Sequence, residues 1–90
     1  MPSLHLLVKG RVQGVSYRVS AKEEADRLSI TGWVRNTPQG DVEITATGSD
    51  AALKAFTAWC RRGPAHAHVT ELITEPLKET PFRNFSIHQD

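Results

Sequence analysis

What this chain has little of narrows it first. Its 90 residues hold one cysteine, Cys60. An internal disulfide framework is therefore impossible, and the count agrees with a reducing cytosol. The apolar run Leu4 to Val8 is far too short to span a membrane, and Met1-Pro2-Ser3-Leu4-His5 lacks a signal-peptide pattern. Neither sign of charge is in excess: eleven Lys and Arg face ten Asp and Glu, for a net +1. No long basic tract advertises nucleic acid. Internal repeats, low-complexity tracts and linkers are also missing, and the length leaves no room for a second core, so residues 1–90 read as one cytoplasmic domain.

What is present is a clear succession of elements. Leu4, Leu6 and Val8 alternate with His5, Leu7 and Lys9, which predicts a strand. A helix is expected over Val19–Leu28, with Tyr17, Ala21, Ala25 and Leu28 at helical spacing and a Glu23–Arg27 pair on its wet face. Ser29–Asn36 reads as a second strand, Thr37-Pro38-Gln39-Gly40 as a turn, and Asp41–Thr47 as a third strand, completing a hairpin. Ser49 or Asp50 caps a second helix whose apolar stripe is Ala52, Leu53, Phe56, Trp59 and Cys60, and which Gly63-Pro64 ends. Ala67–Thr74 is a further strand candidate, although Glu71 breaks its alternation. Pro76 and Pro81 bracket a loop, and Phe85-Ser86-Ile87 closes the chain as a short strand. Trp33, Phe56, Trp59 and Phe85 read as core.

This order is β-α-β-β-α-β, the split βαβ or ferredoxin-like pattern. The fold class expected is α+β, with two helices on one face of an antiparallel sheet of four or five strands. A single helix layer leaves the second sheet face without cover, and that face needs its own account. The topology hosts many unrelated activities, so function has to come from a site.

The best candidate site is Gly10-Arg11-Val12-Gln13-Gly14-Val15-Ser16-Tyr17-Arg18. It joins the first strand to the first helix. A glycine-bearing loop at a helix start collects backbone N–H groups beside the positive end of the helix dipole. Arg18 adds a planar guanidinium suited to gripping an oxyanion in two places. The pattern therefore points to phosphate. Taken alone, Arg18 also fits a solvated helix-terminal residue, and Asn36 fits a turn residue before Thr37-Pro38.

The two motifs together are more specific. Val8 to Arg18 resembles the phosphate-loop signature of acylphosphatases, and Gly32-Trp33-Val34-Arg35-Asn36 with Gly40, Val42 and Gly48 resembles that family's second signature, at the expected separation. The resemblance implies hydrolysis of small acyl phosphates to a carboxylate and phosphate, with no metal, no other cofactor and no covalent intermediate. It implies that Arg18 grips the phosphoryl oxygens and that Asn36 orients the attacking water. Gln13, Gly14, Val15, Ser16 and Tyr17 supply the loop's N–H groups. Tyr17 stands where phenylalanine is commoner in the family, and Ser16 where glycine is frequent. A buried Tyr17 needs a partner for its hydroxyl, and Ser16 lacks glycine's freedom at positive φ.

Other readings weigh less. A phosphate-recognition module without turnover needs no Asn36, and a chain that starts at Met1 with every element in place favours a free-standing enzyme, expected as a monomer. RNA binding on the open sheet face calls for exposed aromatics and a basic surface, whereas the third strand offers Glu43 and Thr45 there. No membrane or nucleic-acid partner is expected. His66 and His68 lack a third metal ligand, His5 and His88 read as structural or exposed, and Cys60 reads as a small buried hydrophobe.

Overall fold

Alternation along each strand decides which side becomes core. The computed structural model describes residues 1–89. Its elements run β1 (Ser3–Arg11), α1 (Tyr17–Arg27), β2 (Thr31–Asn36), β3 (Val42–Thr47), α2 (Asp50–Arg62), β4 (His68–Leu77) and β5 (Phe85–Ile87). One five-stranded sheet has the order β4-β1-β3-β2-β5. Leu6 of β1 pairs with Ile44 of β3, which pairs with Val34 of β2, and all three are buried. Val8, Val42, Ala46 and Phe85 join them. α1 packs over β2 and β5, and α2 over β1 and β4. The small Ala21 and Ala25 bring α1 close to the sheet, while Leu53, Phe56 and Cys60 form the buried stripe of α2. Ser49 caps α2, its hydroxyl accepting the Ala52 N–H at 3.1 Å, and Gly63 closes the helix at φ 71°.

Both helices lie on one face, as expected for a ferredoxin-like α+β fold. Four strands pair antiparallel, but β5 lies parallel to β2, so the sheet is mixed. The difference follows from the connection, which carries the chain from β4 at one edge across the sheet to the other.

The local differences have physical causes. β4 runs through Pro76 to Leu77 instead of stopping at Thr74, with Pro76 opposite Leu4. An edge strand tolerates proline because one of its sides has no ladder partner. The broken alternation at Glu71 is a register shift opposite Lys9 and Gly10, where Lys9 faces Glu71 but Gly10 faces Val69. α1 starts at Tyr17, two residues before the expected Val19, and Ser29 turns at φ 58° ahead of β2. Arg27 pairs with Glu24 rather than Glu23, since both spacings lie within reach of a long guanidinium. Trp33 departs from the expected core. It sits half-buried on the open sheet face, stacked on His88 with ring centroids 5.3 Å apart.

That open face is closed by polar ties. Glu43 accepts from Arg35 Nε at 2.6 Å and lies 2.7 Å from His5 Nε2. Lys9 pairs with Asp41 at 3.1 Å. Thr80, in the β4–β5 connection, donates its N–H to Ser3 Oγ at 3.0 Å and accepts from Thr47 Oγ1 at 2.7 Å. These contacts bury Ser3 and Thr47 without a second layer of helices.

Candidate active site

The loop between β1 and α1 is shaped by backbone geometry that few residues accept. Gly10 has φ 123°, and a Cβ there would stand 2.2 Å from the His68 carbonyl oxygen. Gly14 follows at φ 75°. Ser16, immediately before α1, is left-handed at φ 63°, ψ 27°, and its side chain makes no cap. A helix start without a side-chain cap leaves its first N–H groups unsatisfied. Among the described residues, none of the N–H groups from Gln13 to Val19 donates to another protein group. Left-handed residues interspersed in such a loop are the ingredients of an anion-binding nest.

Beside those N–H groups lies a cavity of about 130 Å³ lined by Val12, Gly14, Ser16, Tyr17, Arg18, Val19 and Asn36. The fold thus unites the two motifs. Arg18 comes from the first turn of α1 and Asn36 from the last residue of β2, held in register opposite Val42. Arg18 donates from Nη1 to the His88 carbonyl at 3.2 Å, and among the described residues it makes no ion pair. A cation at the positive end of a helix is unfavourable by itself, and an anion relieves both.

Not every loop residue faces the cavity. Val15 packs against the core instead. Gln13 turns its amide away, donating from Nε2 to the carbonyls of Thr37 and Asp41, each at 2.9 Å. Those carbonyls belong to the β2–β3 turn, where Thr37 N–H also donates to Asp41 O and Asp41 N–H to Thr37 Oγ1. Gln13 therefore ties the loop to the hairpin that presents Asn36. Its partners lie 24 and 28 residues away, and no local signal reveals them.

Tyr17 is buried, and its hydroxyl finds the partner it needs, donating to the Cys60 carbonyl at 2.8 Å. Burial, reinforced by Cys60, raises the Tyr17 hydroxyl far above its ordinary range. Burial likewise pushes the Cys60 thiol up to about 12, against the lowering effect of the Tyr17 contact. Neither group is an acid or base near neutral pH; together they anchor α1 to α2. Sequence reasoning missed Val12 and Val19 as lining residues, and the His88 carbonyl as a partner of Arg18.

A much larger hollow, about 590 Å³, lies between α2 and the β4 edge, lined by Leu4, Leu53, Lys54, Arg61, Pro76 and Leu77 among others. It contains no residue of either motif. Size does not locate the chemistry here, because phosphoryl transfer needs convergent donors rather than volume. Among the described residues, no three His, Cys, Asp or Glu gather as a metal set, His66 and His68 included.

Residues 4–87 match the acylphosphatase family over nearly the whole chain. The chain belongs to the acylphosphatase family. Acylphosphatase of Methylococcus capsulatus is 48% identical over 91 residues, covering 100% of this chain and 99% of its own. The crystal structure of acylphosphatase from Bacillus subtilis superposes with a TM-score of 0.95 at 35% identity, covering 98% of this chain and 99% of that one. An acylphosphatase from Coxiella burnetii gives 0.94 at 34%, covering 97% and 92%. Membership in the acylphosphatase family agrees with the resemblance read from the two motifs, and gives the cavity between them its chemical context.

Proposed function

We propose that the cavity between the β1–α1 loop and the end of β2 hydrolyses the carboxyl–phosphate bond of acyl phosphates, with Arg18 gripping the phosphoryl oxygens and Asn36 orienting water. One observation carries this: N–H groups without protein partners from Gln13 to Val19 lie beside a cavity that Arg18 and Asn36 share.

The chemistry asks for what this site holds. Water oxygen bonds to phosphorus, the phosphorus–oxygen bond to the acyl group breaks, and the carboxylate leaves with the electron pair. A carboxylate leaves without being protonated, so no general acid is needed. Phosphoryl transfer depends mainly on positioning and on stabilising charge on the transferring oxygens. Arg18 and the loop's N–H groups do the second, and the Asn36 amide does the first. Asn36 does not titrate, so the water's proton goes to an oxygen of the substrate's own phosphate. The positive charge comes from the protein itself, and the reaction needs no metal or other cofactor.

The wider reading is a single-domain cytoplasmic monomer acting on small acyl phosphates. The lone buried cysteine suits a reducing compartment, and no helix among the described residues is long and apolar enough to cross a membrane. The open sheet face carries the Glu43 cluster, and Trp33 is stacked on His88, which disfavours nucleic acid there.

The test is hydrolysis of benzoyl phosphate in EDTA by wild type, Arg18→Ala and Asn36→Ala. Losing a preorganised oxyanion donor costs roughly 10²–10³ in kcat, and Arg18→Ala is expected to lose at least that. Asn36→Ala should lower kcat more than it weakens inhibition by inorganic phosphate; equal losses contradict water positioning. A folded wild type that binds phosphate without turnover would make the cavity a recognition site instead.

A further inference from the structure

The cavity is too small for a whole substrate. A cavity of roughly 150 Å³ accommodates a single benzene, and about 130 Å³ is present here. Once a phosphoryl group and a water are seated, the acyl part lies across the mouth. Among the residues around the cavity Val12 and Tyr17 are buried, and Gly14 has no side chain. Ser16, Arg18 and Asn36 are polar. That leaves Val19, which lines the cavity and is 54% exposed. A valine is a poor residue for an exposed first helical turn, because branching at Cβ restricts its rotamers. The other outward residues of α1, among them Glu23, Asp26 and Arg27, are charged.

We infer that Val19 is the acyl-side contact of this site, and that it biases the enzyme toward acyl phosphates whose acyl group is apolar, aliphatic or aromatic. This rests on the placement of the phosphoryl group proposed above. The acyl chain covers the open half of the valine, while Arg18, one residue earlier, holds the phosphoryl end. Covering that much aliphatic surface changes binding by about five- to tenfold.

The experiment compares kcat/KM for benzoyl phosphate and acetyl phosphate, with inorganic phosphate as inhibitor, in wild type, Val19→Thr, Val19→Leu and Arg18→Ala. Threonine keeps the branched shape, so Val19→Thr should fold normally. The benzoyl-to-acetyl ratio is expected to fall about five- to tenfold in Val19→Thr and to rise in Val19→Leu, with phosphate inhibition within about twofold of wild type in both. An unchanged ratio, with phosphate inhibition still lost in Arg18→Ala, overturns the role of Val19 alone. Arg18→Ala retaining wild-type phosphate inhibition overturns the site and the role of Val19 together.

Discussion

Gln13 and Tyr17 both belong to the first motif, and both direct their side chains to distant carbonyls. The sequence presents them as loop donors; only the folded chain shows what their side chains meet. Gln13 joins two carbonyls of the β2–β3 turn, so its deletion should act on geometry rather than on phosphate affinity. Gln13→Glu places acceptors against those two acceptors. Each lost hydrogen bond costs about 0.5–1.5 kcal/mol, more where a carbonyl stays unsatisfied. Small displacements of a reacting group reach roughly 10²-fold in rate. Gln13→Glu should therefore lower the thermal midpoint and reduce kcat about tenfold or more, while inhibition by phosphate changes less. Equal changes in kcat and phosphate inhibition would contradict a positioning role. Ser16 departs from the glycine frequent in the family, yet the backbone keeps the left-handed conformation at φ 63°. The left-handed turn at this position therefore does not require glycine.

At the scale of elements, the β2–β3 hairpin presents Asn36, and its pairing admits no slack. A Cβ on Gly32 would lie 1.8 Å from the Thr45 carbonyl oxygen. The open face of the same strands carries Glu43 with His5 and Arg35 around it. Burial opposes ionisation of Glu43, but the hydrogen bonds and charges of His5 and Arg35 outweigh it and hold the carboxyl below its ordinary range. The folded pKa is thus depressed relative to the unfolded one. Glu43 contributes stability above the unfolded carboxylate pKa, and that contribution is lost as pH falls through the folded value. Glu43→Gln should flatten the acid limb of a stability-versus-pH curve and leave its shape above pH 7 unaltered. Chemical unfolding of both proteins between pH 3 and pH 8, ranges set by ordinary carboxylate titration at about 4, checks this. An acid limb identical to wild type would contradict the coupling of these strands through Glu43.

For the whole molecule, the longer of the two sheet edges, β4, is the feature with consequences for association. β4 lies at one edge of the sheet with Glu71, Glu75 and Pro76 along it. Like charges and a missing N–H oppose pairing with a second copy of that edge. Sedimentation equilibrium should therefore give a mass near 10.0 kDa across the micromolar range. A concentration-dependent dimer that persists at high salt would instead point to the largely apolar hollow between α2 and β4. The parallel β5 is also a decision of the whole molecule. Three residues carry no signal of direction, and only the path of the β4–β5 connection orients them.

Periodicity and punctuation determined both helices, the hairpin, the turn at Thr37–Gly40 and the two motifs, because each is encoded over a few neighbouring residues. Phe56, Phe85 and Cys60 were legible as core from their spacing and apolarity. Tertiary structure decided what depends on distant partners: the direction of β5, the run of β4 through Pro76, and the stacking of Trp33 on the open face. It also turned Gln13 toward the hairpin and brought Val19 beside the cavity. Arg18 and Asn36 stand eighteen positions apart in the chain. Their meeting requires β2 to lie beside the strand pair that delivers α1. Local patterns specify elements through short-range sterics and burial, whereas a side chain's partner is chosen by packing among all of them at once.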